Sequence, residues 1–274
     1  LAVRDTMLRS AGNARIALYH HIVRRRASVD LRSSFENPFA RWLDQRWRRR
    51  IEEKRLYVND LFLTLVYRPS IGKVGILDRL GDRARRSGGN APAARERDIR
   101  ALDAVRDSLI ASLKPYGPRT LQRYDGAGGR CSEPLEFLSL ILNGELNPVV
   151  EPAGAAAHHL PYKRLSFGVE AIESRGAGAS EFCAMLSMKE YPVSTTPGML
   201  DGLLRLPIDM VVTESFSFID RQTAQERIDL AVRRLRAADD DTVTLRRGLM
   251  AAKDDAASGG AAFGEHHMSV MVRA

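Results

Sequence analysis

The stretch YKRLSFGVEAIESRGAGASEFCAMLSMKEYPVSTTPGMLDGLL, residues 162–204, decides the predicted fold class, because two of its segments alternate apolar and polar residues. A period of two is typical of half-buried antiparallel strands. The small residues at 176–180 predict a hairpin loop between these strands. The alternating apolar positions are Leu165, Phe167, Val169 and Ala171 in the first strand, and Phe182, Ala184, Leu186 and Met188 in the second.

A helix is predicted directly after this hairpin. Pro192 ends the second strand, because proline has no amide hydrogen to donate to a sheet. Thr196 is suited to cap a helix, and Pro197 is suited to be its first residue. The stretch therefore predicts a β-hairpin that leads into a capped helix.

Strands and helices share the rest of the chain, which predicts an α+β fold with antiparallel or mixed sheets and helices packed on one side. We expect two lobes, a basic amino-terminal lobe at 1–150 and a hairpin-and-helix lobe at 151–274, with a linker at 148–161. A polar, glycine-containing loop is expected at 81–97. The other predicted strands lie at 14–26, 56–67, 116–124, 208–218 and 267–272, and the predicted helices at 37–55, 99–113, 132–144, 224–235 and 241–257.

Four ordered blocks carry a resemblance to a known family. They are FGVEAIESRG (167–176), FCAMLSMKEYP (182–192), TTPGMLDGLLRLP (195–207) and VVTESFSFIDRQ (211–222). Together they resemble the amino-terminal domain of the VirB/TrbE/CagE class of type IV secretion ATPases. The likeness extends from about Leu18 to the carboxyl end of the chain and is densest from 167 to 222.

The resemblance implies a subunit of a conjugation or effector-export machine. In such a machine the domain docks the motor to inner-membrane subunits and to its own copies, at the cytoplasmic face of the bacterial inner membrane. It also implies a hexamer and a downstream ATPase domain that uses ATP and magnesium. The chain reads as a piece of a longer protein, and the resemblance supplies no catalytic residue within it.

The positive charge is concentrated in the first half of the chain. Residues 1–130 hold 28 Lys and Arg against 14 Asp and Glu, a net charge of +14, whereas residues 131–274 carry −6. This asymmetry indicates an anionic partner, which is nucleic acid, lipid headgroups or an acidic protein surface. The alternative is a set of solvated arginines with no partner.

The most basic segment is the helix predicted at 37–55. Residues 41–55 carry seven Arg or Lys against three Asp or Glu, beside Trp42 and Trp47. Such a composition is typical of a helix at a membrane surface, and the alternative is a domain helix whose tryptophans enter the core. The apolar stripe is Phe39, Trp42, Leu43, Trp47 and Ile51. The candidate membrane or partner contacts are Arg41, Arg46, Arg48, Arg49 and Arg50.

A nucleic-acid-binding module that uses the basic first half is the alternative function. No nucleic-acid recognition motif supports it, and no stacking aromatics apart from the two tryptophans. No run of residues approaches the roughly 18 apolar residues of a membrane span, and no signal peptide is expected at the start.

No catalytic, cofactor-binding or metal site is predicted in this chain. Gly72-Lys73 lacks the leading glycine and the following hydroxyl of a phosphate loop, so the chain alone is expected to be inactive toward ATP. The glycine cluster at 126–129 is interpreted as a strand-to-helix loop rather than an anion cradle. The histidines come in adjacent pairs, which point to opposite faces of a strand and do not favour chelation.

Two further observations concern single residues. Cys131 and Cys183 are too few for a disulfide framework and suit a reducing compartment. Glu214 falls on the apolar face of its predicted strand, where a carboxylate needs a partner or a proton. We therefore interpret it as structurally paired, with Arg221 or with a lysine on a neighbouring strand.

Overall fold

The computed structural model of the chain has the predicted α+β class and describes residues 15–27, 33–53, 56–67, 91–178, 180–192, 195–237 and 243–274. In these ranges the helices are α1 (Pro38–Glu52), α2 (Ala91–Leu113), α3 (Glu133–Asn143), α4 (Arg221–Ala237) and α5 (Val243–Ser258). The strands are β1 (Ile16–Arg26), β2 (Tyr57–Tyr67), β3 (Arg123–Gly126), β4 (Gly129–Ser132), β5 (Arg164–Phe167), β6 (Ile172–Arg175), β7 (Ser180–Ser187), β8 (Asp209–Phe218) and β9 (Gly264–Arg273).

Strands in the described ranges form one seven-stranded sheet and one two-stranded sheet. The order in the large sheet is β2-β1-β8-β9-β7-β6-β5, and β3 pairs with β4. The pairs β5–β6, β6–β7 and β7–β9 are antiparallel, and Cys183 lies opposite both Ile172 and Arg273. The stretch at 162–204 therefore supplies one end of the large sheet.

The first strand of the predicted hairpin is two strands. The predicted alternation ran from Leu165 to Ala171, but β5 ends at Phe167 and β6 begins at Ile172. A tight turn separates them, in which the Gly168 amide donates to the Ala171 carbonyl at 2.9 Å. The hairpin is therefore a three-stranded meander.

The predicted apolar faces of this stretch are buried only in part. Their half-buried residues are Leu165, Ala171, Ala184 and Met188, and the other four are exposed. Phe167 is 76% exposed, Val169 is fully exposed, and Phe182 and Leu186 are 55% and 60% exposed. In β7 the buried residue is Cys183, which lies on the face opposite Phe182. The face that contains Phe182 is therefore the less covered face of this strand. A period of two identifies strands, but it does not say which face the rest of the chain covers.

Three other predictions need correction. Thr196 and Pro197 begin no α-helix, because turns and the 3₁₀ helix Leu203–Arg205 follow them. The expected loop at 81–97 is wrong for residues 91–97, which form the first turns of α2, while residues 81–90 lie outside the described ranges. The strand predicted at 116–124 begins only at Arg123.

The remaining helices and strands are confirmed to within a few residues, and local signals explain their ends. The Asn37 side chain accepts hydrogen bonds from the amides of Phe39 and Ala40 at the start of α1. Gly144 adopts a left-handed conformation, φ 79°, at the end of α3, where glycine is the favoured residue. These signals depend on short stretches of sequence, which is why the sequence sufficed to find them.

By the packing of its segments the chain divides into two compact units. One comprises Leu1–Tyr19, Leu63–Arg119 and Glu214–His267, and the other comprises His20–Phe62, Thr120–Thr213 and Met268–Ala274. Residue 150, the predicted lobe boundary, lies inside Thr120–Thr213. There the amide of Ser132 donates to the Val149 carbonyl at 3.0 Å and the amide of Glu151 to the Arg130 carbonyl at 2.8 Å.

Each unit has its own apolar core. In the first unit, α4 and α5 pack Ile228 and Val232 against Ala256. In the second unit, strand residues form one buried cluster, and Leu140 of α3 packs with strand residues in another. The buried residues of these two clusters are Ile22, Met210, Val212, Met268 and Val270 in the first, and Val23, Leu140 and Val211 in the second.

Asp220 immediately precedes α4 and caps it. Its carboxylate accepts from the Thr223 amide at 2.9 Å and from the Thr223 hydroxyl at 2.6 Å. These hydrogen bonds to Thr223 lower the pKa of Asp220. Because the pKa of Asp220 is lower in the folded state than in the unfolded state, the ionised cap stabilises the protein at neutral pH. This stabilisation is lost as the pH falls through the folded-state pKa.

We expect Asp220→Ala to reduce the free energy of unfolding by about 1 kcal/mol at neutral pH. The difference between wild type and variant should shrink in acid, because protonated Asp220 is a poorer acceptor. Urea unfolding at several pH values measures this, and a difference that is constant with pH would contradict the cap.

Candidate membrane or partner interface

The candidate arginines lie on α1, a helix with no buried residue. Its half-buried residues recur at steps of three and four, so they share one side of the helix. The opposite side and its flanks are exposed. The half-buried residues are Ala40, Asp44, Arg48 and Ile51.

Arg48 belongs to the half-buried side and holds the segment before the helix. Its Nε lies 2.7 Å from the Asp44 carboxylate, and its Nη2 donates to the Ser33 carbonyl at 2.7 Å. The Ser33 hydroxyl in turn donates to Asp44 at 3.0 Å. Arg48 is therefore occupied within the chain.

Arg41 reaches back to the same segment. Its guanidinium donates to the carbonyl of Phe35 at 3.3 Å and to that of Glu36 at 3.5 Å. Arg41 and Arg48 therefore hold residues 33–36 against α1, and two of the five candidate arginines have a structural role.

The outward side of α1 combines aromatic residues with the other three candidate arginines. Phe39 is 68% exposed, and Trp42 and Trp47 are 51% and 57% exposed. The rings of Phe39 and Trp42 stack with centroids 6.0 Å apart, and the Arg46 guanidinium lies over the Trp42 ring at 5.4 Å. Among the described residues, no ion pair involves Arg46, Arg49 or Arg50, and all three are exposed.

The apolar stripe of α1 therefore does not enter a core within the described chain. Of the five residues in the predicted stripe, Ile51 lies on the half-buried side, and Phe39, Trp42, Leu43 and Trp47 are exposed. Helical periodicity does not distinguish a stripe that faces a core from one that faces outward. These aromatic side chains share the exposed side with Arg46, Arg49 and Arg50. We call Phe39, Trp42, Leu43, Arg46, Trp47, Arg49 and Arg50 the outward face of α1.

The other candidate sites carry no comparable surface. Gly72-Lys73 lies outside the described residues. The glycines at 126–129 form the turn between β3 and β4 rather than a strand-to-helix loop, and a side chain at Gly126 would lie 2.8 Å from the Cys131 sulfur. Cys131 and Cys183 are free and buried, and Glu214 is half-buried.

One of the histidines, His21, contributes to packing. His21 is buried, its Nδ1 lies 3.1 Å from the Thr213 hydroxyl, and its ring packs edge-on against Phe137 at 5.1 Å. Burial and the neighbouring His20 lower the pKa of His21. Within the described ranges, no group of three or more His, Cys, Asp or Glu is arranged to hold a metal ion. No described helix combines the length and apolar character of a membrane span.

Comparison with known proteins decides the family. Residues 119–274 match the family model described as CagE, TrbE, VirB family, component of type IV transporter system. The chain belongs to this family. Residues 1–74, which include α1, match the amino-terminal domain of the type IV secretion system ATPase VirB4/TrbE. The resemblance carried by the four sequence blocks is confirmed.

Similar curated proteins are type IV secretion proteins. The chain is 33% identical over 268 residues to virB4 of Bartonella henselae, covering 98% of this chain and 34% of that protein. It is 31% identical to virB4 of Brucella suis, covering 98% and 33%, and 30% identical to PtlC of Bordetella pertussis, covering 94% and 31%. The chain thus spans about a third of the length of these relatives.

Proposed function

We propose that this chain is the assembly domain of a type IV secretion ATPase and that it attaches the motor to the inner-membrane complex through α1. The observation that carries this proposal is the outward face of α1, where Trp42 and Trp47 are more than half exposed beside exposed arginines. Family membership supports the setting, because relatives along the whole chain are secretion-system proteins.

Exposure of these aromatic side chains to water costs free energy. Large aromatic residues lower the free energy most when they leave water. An exposed apolar patch rimmed by polar groups marks an interaction site in soluble proteins. Because α1 buries none of its residues against the part of the chain that the structure describes, we assign the covering of its outward face to another molecule.

The proposed location, assembly and ligands of the whole protein are those that its family implies. We propose that the whole protein works at the cytoplasmic face of the bacterial inner membrane, self-associates as a hexamer, and binds ATP and magnesium in a domain outside this chain. Its cargo is DNA in conjugation or an exported effector protein. The 274-residue chain itself is proposed to bind no ATP.

The test is assembly in cells that express the secretion apparatus. The full-length protein in which Phe39, Trp42 and Trp47 are replaced by serine should leave the membrane fraction and no longer co-purify with inner-membrane subunits. A matched variant replaces exposed apolar residues of α5, Val243 and Leu245, which are 63% and 51% exposed. If both variants assemble like wild type, α1 is not the docking surface.

A further inference from the structure

We infer that the outward face of α1 binds an anionic lipid bilayer, with its aromatic rings in the headgroup region and Arg46, Arg49 and Arg50 on lipid phosphates. This inference rests on the proposed docking role and names its ligand. It also divides the five candidate arginines, because Arg41 and Arg48 are engaged with residues 33–36.

The arrangement of side chains along the helix supports a surface contact. Trp42, Arg46 and Arg50 are spaced by four residues and so follow one line, with Phe39 and Arg49 beside it. At 1.5 Å per residue α1 is roughly 22 Å long, and the line from Trp42 to Arg50 covers roughly 12 Å of it. A helix that presents aromatic and cationic side chains together along its length suits a planar anionic surface.

Arginine and tryptophan are compatible at the same depth of a bilayer. An arginine buries its aliphatic stem along apolar surface and keeps the guanidinium in the polar layer. Tryptophan prefers the same interfacial layer, since its ring is amphipathic. Arg46 already lies over the Trp42 ring, so the two side chains enter the headgroup region together.

Charge complementarity favours an anionic occupant, and the extended row of aromatic and cationic side chains favours a lipid surface over a single arginine-binding pocket on a protein. Among the described residues Arg46, Arg49 and Arg50 have no carboxylate partner, while Asp44 is paired with Arg48 on the half-buried side. Nucleic acid is less favoured, because the Trp42 ring already contacts Phe39 and Arg46 and offers less free face for a stacked base.

The experiment exploits the position of the tryptophans. The chain has two tryptophans, Trp42 and Trp47, so its intrinsic tryptophan fluorescence reports on α1. On mixing with vesicles of equal parts phosphatidylglycerol and phosphatidylcholine, we expect a blue shift and quenching by brominated acyl chains. Trp42 opposes the half-buried side, whereas Trp47 lies at its flank, so Trp47→Phe should retain more quenching than Trp42→Phe.

The arginines are tested by flotation with the same vesicles. Arg46→Gln, Arg49→Gln and Arg50→Gln combined should weaken binding by about a hundredfold, because each cation near an anionic leaflet contributes about fivefold. The matched control replaces Arg95, Arg97 and Arg100 of α2, which are also exposed, and should change binding by less than about threefold. Circular dichroism confirms that both triple variants are folded.

The outcomes separate this inference from the proposed function. No blue shift, no quenching, or equal losses in the two triple variants would overturn lipid binding. Binding to nucleic acid without binding to vesicles would overturn it as well. If the protein assembles in cells through α1 but ignores pure lipid, the docking role stands and the lipid inference fails. If the protein binds lipid but does not assemble in cells through α1, the lipid inference stands and the docking role fails.

Discussion

Asn143→Ala is expected to lower the free energy of unfolding by about 3 kcal/mol. Asn143 is the last residue of α3 and is only 1% exposed. Its amide donates to the Leu160 carbonyl at 2.9 Å, and its side-chain oxygen accepts from the Tyr162 amide at 3.3 Å. Alanine would leave both backbone groups without these partners, and the Leu160 carbonyl belongs to a buried residue.

Two variants make the Asn143 prediction specific. Asn143→Asp keeps the shape but places a carboxylate oxygen against the Leu160 carbonyl, so it should destabilise the protein at least as much as alanine. The matched control is Asn147→Ala, because Asn147 is exposed and donates to the Tyr162 hydroxyl at 3.2 Å. Its effect should stay below about 0.5 kcal/mol in urea unfolding. A loss below about 1 kcal/mol for Asn143→Ala would show that water replaces the amide.

The second large effect is expected at Arg24, where alanine should lower the free energy of unfolding by about 3 kcal/mol. Arg24 is 8% exposed. Its Nε donates to the Leu206 carbonyl at 2.7 Å, its Nη1 donates to Asn59 at 2.9 Å, and its guanidinium lies over the Tyr57 ring at 4.8 Å. It thereby holds the segment that carries Leu203 and Leu204, which pack on the cluster around Met210.

The neighbouring arginine is the matched control. Arg25 pairs with Asp60 at 2.7 Å, but the two side chains are 48% and 37% exposed, so Arg25→Ala should change stability by less than about 1 kcal/mol. Arg24→Lys should recover less than half of the loss, because an ammonium group cannot reproduce the planar fork of donors. Equal stability of the Arg24 and Arg25 alanine variants in thermal unfolding would contradict the stabilising role of Arg24.

The sequence located most helices and strands because their signals are local. Asn37-Pro38 at the start of α1 and Gly144 at the end of α3 act on backbone groups within one turn. Alternation likewise identified β8, where Met210 and Val212 are buried. Where a local signal was ambiguous the prediction failed, as at Gly168, where the alternating pattern continued through a turn.

The sequence by itself also determined the family, the basic character of the first half and the position of the aromatic stripe on α1. Only the tertiary structure decided which apolar surfaces are covered, because burial depends on segments distant in sequence. Leu203 and Leu204 cover the cluster around Met210, while nothing in the described chain covers Trp42 or Phe182 to the same degree. Likewise, three consecutive arginines look alike in sequence, and the fold buries Arg24 because Asn59 and Leu206 lie beside it.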